Sequence, residues 1–243
     1  MKKIASLICC LCLSLCASAQ FNDSVHHQVL YTSTGSINRT NDATAYLLNN
    51  AFRFALRRND FRFNFNNSWI YGEQNAKLSN NDFVSTLDFN LYKTLPHFYY
   101  WGLANYTSAY SLKIDNQVQG GLGAAYNVVD KEHFVINLSD GILYEQSGIL
   151  VNDSVKENYH TFRNSFRLQF RWKYKSSFTF TGIGFAQNSL DNSDDYILRA
   201  NLNLSIKLYK WISFTTAYTY NNVSRTKREN MLFTYGLTFE RFF

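Results

Sequence analysis

From about residue 27 to the end of the chain, apolar and polar side chains alternate with a period of two. Residues 61–71 give the cleanest instance. Phe61, Phe63, Phe65, Trp69 and Tyr71 interleave with Arg62, Asn64, Asn66, Ser68 and Ile70. In 160–174, Phe162, Phe166, Leu168, Phe170, Trp172 and Tyr174 oppose Arg163, Ser165, Arg167, Gln169, Arg171 and Lys173. In 196–208, Tyr196, Leu198, Leu202, Leu204, Ile206 and Leu208 oppose Arg199, Asn201, Asn203, Ser205 and Lys207. Successive side chains of a strand point to opposite faces, so each segment reads as a strand with one apolar and one polar face.

The pattern predicts about twelve such strands of roughly 11–14 residues. They fall near 26–38, 44–57, 61–73, 82–92, 98–109, 117–128, 134–146, 159–174, 178–188, 195–208, 212–222 and 230–243. Soluble strands are usually about 5–6 residues long, whereas a tilted membrane-spanning strand needs about 9–11. Pro96, the single proline, falls in a connection, as a strand interior that donates every ladder hydrogen bond requires. Tight links at 58–60, 93–97, 129–133, 175–177 and 209–211 are expected to alternate with longer polar ones at 39–43, 74–81, 110–116, 147–158, 189–194 and 223–229. Short turns at one end and longer loops at the other mark an outer-membrane barrel, with the turns periplasmic. An even strand count then puts both termini in the periplasm.

A secreted β-sandwich or small soluble barrel would show the same alternation, with the apolar faces forming a core. Three features favour the membrane. The strands are too long and too many for a sandwich of about 200 residues. The polar face carries mid-strand arginines, as a wet lumen would. The last strand keeps the apolar phase through Met231, Phe233, Tyr235, Leu237 and Phe239 and closes on Phe243, in the manner of the terminal signature read by barrel-assembly machinery. Tyr46, Trp69, Tyr71, Trp172, Tyr174, Trp211, Tyr218 and Tyr220 lie near predicted strand ends, where interfacial girdles belong. The expected fold is therefore all-β: a transmembrane antiparallel up-and-down barrel in the outer membrane of a Gram-negative bacterium.

Composition narrows the choice further. The 243 residues are 46% hydrophobic and 17% aromatic, too rich in large apolar side chains for a disordered chain. A mean hydropathy of -0.28 is too polar for a helical membrane protein. The net charge of +6 is not gathered into a basic stripe, which excludes a nucleic-acid partner. The beginning of the chain reads as an address: Lys2 and Lys3, an apolar run from Ile4 to Cys16, then Ala17-Ser18-Ala19 before a cut at Gln20. Lipidation at Cys16 is the alternative, but bulky Leu15 precedes that cysteine. The expected division is a signal peptide over 1–19 and one barrel domain over 20–243. All four cysteines, Cys9, Cys10, Cys12 and Cys16, leave with the signal, so neither disulfide nor thiol chemistry is expected.

Several stretches of the second half carry a resemblance. These are Gly120-Gly121-Leu122-Gly123-Ala124-Ala125-Tyr126, Ser139-Asp140-Gly141-Ile142-Leu143-Tyr144-Glu145, Asn188-Ser189-Leu190-Asp191-Asn192-Ser193-Asp194-Asp195-Tyr196 and Leu198-Arg199-Ala200. In these the chain resembles the outer-membrane barrels grouped as domain of unknown function 481. The resemblance implies fold and location and supplies no catalytic residues.

Candidate chemistry is sparse. A lipid hydrolase would need a serine and an oriented histidine on the outer face. His160 has the lipid-facing phase near the outer rim, but Ser154 is a loop residue and no orienting group is evident. His26 and His27 point to opposite faces, and His97 and His133 sit in turns. Asp191, Asn192, Asp194 and Asp195 form an acidic loop without the spacing of a calcium site, which reads better as solvated. Arg225, Lys227 and Arg228 could meet lipopolysaccharide phosphates or simply keep their loop soluble. No enzyme activity, metal or cofactor is expected.

The lumen is the sharper case. Arg163, Arg167 and Arg171 recur every four residues on one inward face, and Arg53, Arg57, Arg62 and Arg199 share the polar phase of their strands. Asp88 and Glu145 are the inward acids that could pair with some of them. Two outcomes stay open: an ionic network bracing a plugged barrel, or a pore that attracts small anionic solutes.

Overall fold

The structure, a computed structural model, describes residues 26–40, 43–151, 155–175 and 177–243. The expected signal peptide and Ser154 lie outside the described residues.

Twelve strands form one closed antiparallel ring, each paired with its neighbours in sequence and the first with the last. They are β1 (His27–Arg39), β2 (Thr44–Arg58), β3 (Phe61–Gln74), β4 (Lys77–Leu95), β5 (Phe98–Ala109) and β6 (Ile114–Lys131). The ring continues through β7 (Phe134–Val151), β8 (Val155–Tyr174), β9 (Phe178–Ser189), β10 (Tyr196–Tyr209), β11 (Ile212–Val223) and β12 (Arg228–Phe242). Closure runs from Gln28↔Phe242 to Gly35↔Tyr235. Partners followed around the ring from Thr34 arrive at Lys173 one way and at Glu157 the other, a stagger of 16 residues along β8. A stagger of this size tilts the strands and widens the barrel. Closure leaves no sheet edge, which a bilayer would make costly.

The apolar phase faces outward. Phe166 is 43% exposed and Leu122 66%, whereas Glu145 and Arg163, on the inward phase, are fully buried. This is the inside-out arrangement of a barrel solvated by hydrocarbon. Aromatic rings cluster toward the two rims: Tyr46, Trp69 and Tyr71 at one, Trp172, Tyr174, Trp211 and Phe239 at the other. At the end holding the chain termini, His27 stacks on Phe243 and exchanges two backbone hydrogen bonds with it.

The connections differ from expectation. β4, β6, β7 and β8 run 18–20 residues, so strands replace most of the loops expected at 74–81 and 147–158. Asn75 and Ala76, both at positive φ, make a tight turn there, because backbone pairing extends wherever partners remain in register. The expected loop at 110–116 shortens to residues 110–113 and folds into the barrel mouth.

Candidate functional site

The inward phase divides into two halves of different chemistry. Toward the end opposite the termini, here the loop end, side chains fill the interior. Arg163 on β8 donates through Nε and Nη2 to both oxygens of Glu145 on β7, at 2.8 and 2.9 Å. Its Nη2 also reaches Asp195 Oδ1 at 2.9 Å, and all three residues are buried. Asp195 in turn accepts from Arg225, which bonds Glu157 and lies 3.8 Å from the centre of the Tyr159 ring. In the β11–β12 turn, burial alone would weaken the Arg225 charge, but the hydrogen bonds and charge of Asp195 outweigh it and raise its hold on the proton. The acidic loop is therefore not wholly solvated: Asp195 is a structural counter-ion. Arg225, expected to meet phosphates or to solubilise its loop, is committed to that counter-ion instead.

Amides then bridge strands that are not neighbours in the ring. Gln119 donates to Glu145 at 2.6 Å and to Gln187 of β9 at 3.1 Å, while Arg199 of β10 donates to Gln117 of β6 at 3.0 Å. Above them the β5–β6 turn folds inward. The N–H and hydroxyl of Ser111 donate to Asp82 at 2.9 and 2.6 Å, and Asn230 of β12 donates to Ser111 from across the mouth at 2.8 Å. Leu112 is thereby buried among Ile114, Ile149, Ile197 and Val223. This apolar stopper was invisible as a pattern, since one leucine in a polar turn carries no period.

Toward the terminal end the interior is wetter. Arg53, Arg57, Gln169 and Arg171 hold the inward phase and are nevertheless exposed. Their partners are neutral. Arg53 donates to Asn64 at 2.7 Å; Arg62 donates to the Tyr92 hydroxyl at 2.9 Å and lies 4.3 Å from that ring's centre. Arg167 donates to Ser139 and to the Tyr99 hydroxyl, beside Trp101. Among the described residues none of Arg53, Arg57, Arg62, Arg167 and Arg171 is in a salt bridge. The inward acids of this half are held by amides: Asp88 accepts from Asn64, Asn66 and Asn90, and Glu240 from Gln28. Of the two expected acids, then, only Glu145 pairs with an arginine.

One wall of this half is aromatic. Tyr92 stacks on Tyr99 at 4.5 Å, and Tyr99, Trp101, Ala125 and Leu143 pack together. Trp101 lies over Gly123 and Gly141, which face each other on β6 and β7; a Cβ at either would come within 2.4 Å of the indole. Glycine is needed at both for that close approach. The inward Tyr99 and Trp101 were missed in the sequence because their strand, 98–109, is apolar on both phases.

His160 faces outward at the loop-end rim near Tyr144, and among the described residues its ring has no hydrogen-bond partner. His97 lies beside Asp130 in an exposed turn.

Comparison with known proteins agrees with the architecture. No curated protein matches the chain. Among solved structures, the NanC porin aligns over 88% of this chain and 98% of its own at 10% identity, with a TM-score of 0.53. An outer membrane channel from Pseudomonas putida F1 (COG4313) aligns over 95% and 100% at 11% identity, with a TM-score of 0.52. At such identities the likeness is one of fold, that of outer-membrane porins. The profile of a protein family of unknown function, DUF481, matches residues 35–240. Spanning nearly the whole barrel, that match makes this chain a member of the DUF481 family.

Proposed function

We propose that the protein is a narrow, anion-favouring channel of the Gram-negative outer membrane, with its termini and its arginine-lined vestibule on the periplasmic side. One observation carries this reading: the arginines divide by partner. Arg163 and Arg225 are neutralised by carboxylates. Arg53, Arg62 and Arg167 hydrogen-bond neutral groups, and among the described residues none of Arg53, Arg57, Arg62, Arg167 and Arg171 is in a salt bridge, so their charge acts on whatever enters. Uncompensated guanidiniums in an enclosed aqueous space attract anions and repel cations.

The partners follow from the location. The apolar belt meets outer-membrane lipid, β12 with the Phe243 that follows it engages the barrel-assembly machinery, and Lys227 and Arg228 at the loop-end rim suit lipopolysaccharide phosphates. Reversal potentials across planar bilayers in a potassium chloride gradient test the channel. Anion preference is expected, reduced in Arg53→Gln and Arg171→Gln. Cation preference, or no conductance in any condition, overturns the proposal.

A further inference from the structure

We propose that the terminal-end vestibule is a binding site for a multivalent oxyanion: a compact solute that carries several carboxylate or phosphate groups. The inference rests on the reading of the vestibule as anion-attracting, and it adds a site with a preferred charge.

The wall is built of like charges set against one another. Arg57 and Arg62 are directly opposed on β2 and β3, both on the inward phase. Like charges placed opposite one another across a strand pair destabilise the sheet unless something lies between them. Arg171 on β8 faces them from the far side of the ring, near enough to act through space on Arg62 and Arg53; Asp88 and Glu240 near Arg53 and Asp130 near Arg171 act on the cluster too, without forming a direct ion pair among the described residues. Lys173 and Lys207 extend the same phase at the rim. No carboxylate pairs with any of these groups among the described residues.

The cluster is also held in position. The Tyr92–Tyr99 stack fixes Arg62 from one side and Arg167 from the other, so two guanidiniums are oriented by aromatic rings rather than by counter-ions. Guanidinium forks match carboxylate and phosphate oxygens in geometry. A monovalent ion would relieve one repulsion; an ion with several charges relieves them together. Beyond the vestibule stand the bridging amides and the Leu112 stopper, so in this conformation an occupant entering from the terminal end meets a floor.

Trp101 supplies the readout. Of the four tryptophans, Trp69, Trp172 and Trp211 are exposed on the outer face, while Trp101 points inward, its ring centre 5.8 Å from the Arg167 guanidinium carbon. The folded barrel in detergent micelles is titrated with citrate, and separately with acetate, at constant ionic strength. Citrate is expected to shift Trp101 emission with an apparent Kd about tenfold or more below that of acetate. Trp101→Phe should abolish the optical signal while calorimetry still records citrate binding. Arg62→Gln and Arg171→Gln should each weaken binding by roughly tenfold, with unchanged heat-modifiable migration on a denaturing gel showing that they fold.

Citrate indistinguishable from acetate, or bound equally well by both folded arginine variants, overturns the site. Citrate binding without conductance would remove the channel and keep the site. Anion-selective conductance without citrate preference would remove the site and keep the channel.

Discussion

At the scale of single residues, the same side chain does opposite things in two places. Arg163 is sealed against Glu145 and Asp195, where removing one partner strands an uncompensated charge. Glu145→Ala should lower stability by about 3–5 kcal/mol in urea unfolding of the micellar barrel. Combining Glu145→Leu with Arg163→Met should recover much of that loss, because well-packed apolar side chains often replace a buried pair at little cost. A loss under about 1 kcal/mol for Glu145→Ala would mean that water reaches the pair. Arg171, two steps along the same inward face of β8, and Arg53, on the inward phase of β2, are exposed and form no salt bridge among the described residues. Phase was legible in the sequence; partnership was not. Asp195 became a counter-ion only because the β9–β10 turn brings it over β8, and Arg199 reaches Gln117 only across the ring.

Among elements, the turns decide what the strands alone cannot. Ala76 sits at φ 59°, a left-handed conformation that costs an L residue roughly 1–2 kcal/mol. Ala76→Gly should therefore raise the urea midpoint, by about 0.5–1 kcal/mol in stability; an unchanged or lower midpoint would show that the turn gains nothing from the relief. The β5–β6 turn matters more for function. Asp82 grips Ser111 by two hydrogen bonds, and Leu112 seats in the apolar cluster behind it. Asp82→Ala with Leu112→Gly should loosen this stopper and raise single-channel conductance above that of the unaltered barrel. Equal conductance in the two would show that current does not pass the turn. The family-resembling stretches acquire a physical meaning at this scale. Gly123 and Gly141 make the floor under Trp101, while Glu145, Asp195 and Arg199 belong to the loop-end packing.

Across the whole molecule, charge is sorted along the barrel axis. Paired ions and bridging amides fill the loop end, and guanidiniums that form no salt bridge among the described residues line the terminal end. The sequence by itself determined the strand count, the face presented by residues of the alternating strands and the closed, outward-greasy barrel, because a period of two is local and a bilayer tolerates no open edge. Only the tertiary structure decided which end is filled, which arginines are neutralised and that the β5–β6 turn folds inward. Those outcomes depend on the stagger with which twelve strands close, which sets who faces whom across the lumen, and no local pattern in the chain encodes that distance.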